Sequence, residues 1–170
     1  MAEPEIAWGK KVDAAFKTKV LKISASLGCD PSHLMAAMAF ETGETFSPSV
    51  KNPGSSATGL IQFMSTTAKG LGTTTAKLAA MTAVEQLDFV ALYLKPFKGK
   101  MHSVSDVYMT ILFPAAVGKP EAFVLFKAPS ARYKRNKGLD VNKDGEVTKG
   151  EAASKVQAKL DKGLSSALRG

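Results

Sequence analysis

Residues 30–46 read Asp30-Pro31-Ser32-His33-Leu34-Met35-Ala36-Ala37-Met38-Ala39-Phe40-Glu41-Thr42-Gly43-Glu44-Thr45-Phe46, and this stretch decides the fold. Aspartate followed by proline marks a helix start. The aspartate caps, and the proline occupies the first turn, where no backbone N–H is needed. From Leu34 to Phe40 no residue is polar, and the first charge comes at Glu41. A helix that is apolar on every side has no face for water, so 31–41 is expected to be the buried central helix. The rest of the chain then has to supply its packing shell.

Upstream, Trp8, Val12, Phe16, Val20, Ile23 and Leu27 recur at steps of three and four, which predicts one amphipathic helix over 8–27, ended by Gly28. Downstream, residues 43–58 are rich in Gly, Ser, Thr, Pro and Asn and read as a long ordered loop. Helices are expected at 59–68, 74–81 and 82–94, the last opened by Thr82 and Glu85 in a capping-box pattern. A largely apolar helix over 106–113 stops at Pro114, and Pro120-Glu121 opens a short one through Lys127. Val156, Leu160, Leu164 and Leu168 give residues 152–168 the stripe of a solvated amphipathic helix. Sustained alternation is missing. The class is therefore all-α, with any minor β element confined to the 43–58 loop. A length of 170 residues suits one domain, read as a region 1–130 with a segment 131–170 packed onto it.

Lys and Arg number 23 against 15 Asp and Glu, a net charge of +8. Such an excess favours an anionic partner: nucleic acid, acidic headgroups, or a bacterial wall polymer bearing carboxylates and phosphates. No base-reading or aromatic-platform motif accompanies the charge, so nucleic acid is not the expected partner. The single Cys29 excludes an internal disulfide and a multi-cysteine zinc site. The acidic start, Met1-Ala2-Glu3-Pro4-Glu5, leads to no apolar run before Gly28, so no signal peptide is expected.

Glu41 shares its helix face with Ala37 and Met38. A carboxyl so placed is poorly solvated. Its pKa should rise, and it can then hold a proton near neutrality, as a general acid must. Some residues later comes Ser56-Ala57-Thr58-Gly59-Leu60-Ile61-Gln62-Phe63. Taken together, the two segments resemble soluble lytic transglycosylases and lysozyme-like glycosidases, above all the phage and prophage versions. Glu41-Thr42 is similar to that family's Glu-Ser pair, and Gly59-Leu60-Ile61-Gln62 to its Gly-Leu-Met-Gln element. The likeness covers roughly residues 8–125. It departs near Tyr108, which is similar to the family's cleft tyrosine but lacks the asparagine expected after it.

The resemblance implies a lysozyme-like helical fold and cleavage of the β-1,4 bond between N-acetylmuramic acid and N-acetylglucosamine in peptidoglycan. Glu41 would be the single catalytic acid, and Ser56, Thr58, Gln62 and Tyr108 would contact substrate. A two-carboxylate glycosidase holds its pair about 5–10 Å apart. Glu44, Glu85, Asp88 and Asp106 stay open as second carboxylates, and none carries a motif of its own. Hydrolysis and a 1,6-anhydro product stay open too.

A second constellation, Asp140-Val141-Asn142-Lys143-Asp144-Gly145-Glu146-Val147-Thr148-Lys149-Gly150-Glu151, satisfies D-x-[DN]-x-[DN]-G-x5-E throughout. It resembles an EF-hand calcium loop. Asp140, Asn142 and Asp144 would give side-chain oxygens, Glu146 its carbonyl, Thr148 a hydroxyl or bridging water, and Glu151 a bidentate carboxylate. No second loop exists in the sequence to pair with it. A structural Ca²⁺ site of about 10⁻⁴–10⁻³ M affinity is expected, not a sensor.

The leading expectation is thus a monomeric, calcium-stabilised peptidoglycan glycosidase, acting as an endolysin or a virion-associated lysin. It would bind glycan strands, touch the anionic envelope electrostatically, and reside in the host cytoplasm until release or on the particle. The alternative is a wall-binding or tail-structural protein of degenerate lysozyme fold without catalysis.

Overall fold

The computed structural model describes residues 2–170. The helices are α1 (Ala14–Leu27), α2 (Pro31–Glu41), α3 (Ser65–Gly70), α4 (Thr75–Ala80), α5 (Ala83–Leu94), α6 (Val104–Leu112), α7 (Ala131–Asn136) and α8 (Lys149–Gly163). Strands β1 (Val124–Lys127) and β2 (Glu146–Thr148) flank α7 in the chain and form an antiparallel pair. The architecture is mainly helical with this one small sheet.

The axis is α2. Asp30 accepts the Ser32 N–H at 2.8 Å, Pro31 fills the first turn, and Leu34 through Ala39 are all fully buried. Packing on α2 are α1, α6 and α8, and α5 lies against α1. Asp13 caps α1 by accepting the Phe16 N–H, and Gly28, at φ 73°, ends it. The Thr82–Glu85 capping box at the start of α5 is formed as its sequence predicts.

Four expectations are corrected. The first helix begins at Ala14, not Trp8, because Trp8 is claimed by the far end of the chain. Its backbone turns left-handed (φ 64°), its indole is buried, and its ring N–H donates to the Lys159 carbonyl at 2.9 Å. A Cβ at Gly163 would meet that ring at 2.3 Å, so the contact needs glycine. The last helix, expected over 152–168, is α8 and ends at Gly163. Val156 and Leu160 of its stripe are core residues together with Ala152 and Ala153, but the helix stops before Leu164, which is exposed.

Residues 59–63 form a turn rather than a helix. Gly59 and Gln62 both have positive φ (82° and 54°), Thr58 bridges Phe63, and Gln86 accepts the Leu60 N–H at 2.8 Å. A Cβ at Gly59 would lie 2.3 Å from Gln86. Residues 124–127 are strand β1, not helix: Phe126 faces Val147 across the ladder. The sheet therefore lies beside the acidic loop, whereas the 43–58 loop contributes only isolated bridges, Lys51–Thr58 and Thr58–Phe63.

A buried ion pair fixes α8 to α6. Lys149 and Asp106, whose side chains are 2% and 8% exposed, meet at 2.6 Å, and Lys149 also donates to the Lys119 carbonyl. Burial by itself raises the Asp106 carboxyl. The ammonium and the N–H groups of Gly118 and His102 outweigh it, and the net shift is downward. At the ends of the chain, Ile6 and Gly170 exchange backbone hydrogen bonds at 2.8 and 3.2 Å. Among the described residues no helix is long and apolar enough to cross a membrane.

Candidate active site

Glu41 is the last residue of α2, and the chain beyond it is held rigidly. The Thr42 hydroxyl donates to the Met38 carbonyl at 2.7 Å and accepts the Phe46 N–H at 2.9 Å. Glu44 turns left-handed (φ 69°) and its carboxylate is gripped by Lys159 and Lys162 of α8. The end of the central helix is thereby tied to two neighbours while Glu41 itself lines a cleft.

That cleft measures about 1040 Å³. Phe40, Glu41, Tyr108, Ile111 and Gln62 line it together with residues of the 50–57 loop, and Phe126, Arg132, Arg135, Asn136 and Leu139 complete it. Its volume lies at the upper end of ordinary ligand pockets, and its open shape suits an extended chain more than a compact molecule.

Glu41 is the sole carboxylate among the lining residues. Its carboxyl makes no hydrogen bond or ion pair with any described residue. Burial without compensation lifts it from the ordinary 4.5 to about 7. Tyr93 and Tyr108 lie close enough to feel its charge: burial raises both phenols, and the Glu41 carboxylate raises them further. Tyr93 spends its hydroxyl on the Thr110 carbonyl. Tyr108, edge-on to Phe40 at 5.4 Å, lines the cleft with its hydroxyl unengaged by protein.

The other expected contact residues divide. Gln62 reaches the cleft. Its amide nitrogen donates to Val50 and Gly59 carbonyls at 3.1 and 3.0 Å, which leaves the amide oxygen for a ligand. Ser56 and Thr58 do not line it. Ser56 accepts the Ser65 N–H at the start of α3, and Thr58 is fully buried and donates to the Ser56 carbonyl. They shape the loop from behind.

None of the open second carboxylates lines the cleft. Glu44 is held by two lysines, Glu85 is spent in its capping box, Asp88 pairs with Lys19 at 2.9 Å, and Asp106 is locked to Lys149. Sequence reasoning missed Tyr93 as a neighbour of Glu41, and it does not show that Arg132 and Arg135, which stay exposed, line the cleft. No local pattern in the sequence marks either role, because only long-range packing creates it.

In the acidic loop, Asp140, Asp144 and Glu151 bring ligand oxygens within 4.8 Å of one another, a group that can hold a metal ion. Gly145 (φ 88°) and Lys143 (φ 58°) supply the sharp turn. Glu151 accepts the N–H groups of Val141, Asn142 and Thr148, and so closes the loop while capping α8. Tyr133 of α7 donates its hydroxyl to Asp140 at 2.6 Å, which holds that carboxyl below the usual range. Asn142 touches Asp144 at 3.3 Å, and the Glu146 and Thr148 positions lie in β2.

No protein-family model matches the chain, and neither does any curated protein.

Proposed function

We propose that the protein is a single-acid glycosidase of bacterial peptidoglycan with a lysozyme-like fold, and that Glu41 is its acid. The observation that carries this reading is a lone cleft carboxyl raised to about 7 by burial alone. Such a group is protonated for about half the molecules at neutrality, where an ordinary glutamic acid is almost wholly ionised.

In the proposed reaction, Glu41 gives its proton to the oxygen bridging N-acetylmuramic acid and N-acetylglucosamine. The positive charge developing on the sugar is met by the substrate's own 2-acetamido oxygen. Within the cleft, the Gln62 amide oxygen and the Tyr108 hydroxyl are free to hold acetamido and hydroxyl groups. The Glu41 carboxylate left behind then takes the proton of the muramic 6-hydroxyl as that oxygen closes onto the anomeric carbon. With no second carboxylate in the cleft to activate water, this 1,6-anhydro route is the one favoured.

The loop at 140–151 is proposed to hold Ca²⁺. A compact all-oxygen donor set with glycine at the turn suits a hard cation and offers nothing to a thiophilic one. Asp140, Asn142, Asp144, Glu146, Thr148 and Glu151 would be the ligands, and the ion would neutralise the clustered carboxylates and stiffen the loop. Nothing in the reaction runs through it.

Digestion of purified sacculi followed by mass spectrometry tests the reading. Products one water lighter than hydrolysed muropeptides are expected from the native protein and none from Glu41→Gln. Wall that is bound but never cut would instead favour the non-catalytic alternative.

A further inference from the structure

The cleft carries an unusual charge distribution for a site whose proposed substrate is a sugar chain. Arg132 and Arg135 from α7 and Lys51 from the 50–57 loop line it, and none of the three has an ion-pair partner among the described residues. Glu41, the only acid present, is the group just argued to be proton-bearing near neutrality. The cleft is therefore electropositive. The glycan backbone itself has nothing to answer that charge: its hydroxyl and acetamido groups are neutral.

Arg132 is also held in place. Its guanidinium lies over the rings of Phe113 and Phe126 at 4.9 and 5.5 Å, and its backbone carbonyl accepts the Asn136 side-chain amide at 2.9 Å. Stacking immobilises the stem while the planar N–H edges stay available, and a forked cation of this kind matches a carboxylate in bidentate geometry. One turn on, Arg135 presents a second cation to the same cleft.

Resting on the glycosidase reading, we propose that Arg132, Arg135 and Lys51 bind the carboxylates of the peptide stems carried by the glycan, so that the cleft selects peptide-substituted strands over bare ones. The muramic lactyl group carries those stems next to the scissile bond, and their free carboxylates are the anions nearest to a sugar bound beside Glu41.

Two substrates decide it: intact sacculi, and the same glycan strands stripped of stems by an amidase and then treated with carbodiimide and ammonia, which neutralises the lactyl carboxylates that the amidase frees. The native protein should cut stem-bearing strands with kcat/KM about tenfold above stripped ones, the difference lying in KM. Arg132→Ala with Arg135→Ala should bring that ratio close to one. Lys134→Ala, which removes a cation of α7 outside the cleft lining, should keep it. Equal cutting of both substrates by the native protein, or an equal loss on both in the double variant, overturns the proposal while leaving the glycosidase standing. Capture of Glu41→Gln on each preparation immobilised on beads reads binding without turnover. Retention that is stem-dependent and lost when both arginines are replaced, together with a native protein that cuts neither substrate, upholds stem recognition and sinks the glycosidase. Retention indifferent to stems sinks the proposal.

Discussion

Replacing Glu41 by glutamine should make the protein more stable, by an amount that depends on pH. The carboxyl titrates at about 7 in the folded chain against 4.5 when exposed. Below 4.5 both states carry the proton and the site contributes nothing to the pH dependence. Between 4.5 and 7 the folded state binds the proton that the unfolded state has lost, so stability falls by about 1.4 kcal/mol per pH unit. Above 7 the full cost of burying the charge is present, about 3 kcal/mol.

Glutamine has the same shape and no charge, so it avoids that cost throughout. In a chain of 170 residues each kcal/mol moves the melting point by roughly 2–4 °C. Glu41→Gln should therefore melt about 6–12 °C above the native protein at pH 8 and within a degree or so of it at pH 4. Paired scanning calorimetry at the two pH values measures this, and the difference between variants cancels every other titrating group. A gap that is the same at both pH values, or a variant less stable at pH 8, would refute the desolvated-acid account of Glu41.

Three further outcomes follow from the same structure. Activity should drop about tenfold between pH 6 and pH 8, as the protonated fraction of Glu41 falls through its midpoint; initial rates of wall clearance at constant ionic strength check this. Lys149→Met should cost about 3–5 kcal/mol in urea unfolding, because it strands the buried Asp106 charge, and adding Asp106→Asn should recover part of the loss. Calcium at a hundredfold excess over its Kd should stabilise the native protein by about 2.7 kcal/mol, whereas Asp144→Ala should abolish the response and magnesium should give little of it.

What the sequence disclosed is mostly what local chemistry determines. The start and apolar run of α2, the capping box before α5 and the turn geometry of 140–151 each need only a few neighbouring residues, and each formed as expected. The high pKa of Glu41 was readable for the same reason, since its own helix supplies part of the desolvation. Trp8 leaves the helix that its spacing predicts because its partner, Gly163, lies far along the chain. The strand at 124–127 is not visible in the sequence because the ladder that stabilises it comes from residues 146–148. Ser56 and Thr58 failed as contact residues because a loop sequence does not say which way its hydroxyls turn. Packing against Phe63 and Ser65 turned these two away from the cleft.

The clasp between Ile6 and Gly170 has a practical consequence. A chain cut to residues 6–170 can be sewn into a ring across this clasp through a short flexible bridge, with little disturbance to the native fold. Such a circular form would keep its cleft yet lose much of the freedom of its denatured chain, so it should outlast the linear form under heat and proteolysis.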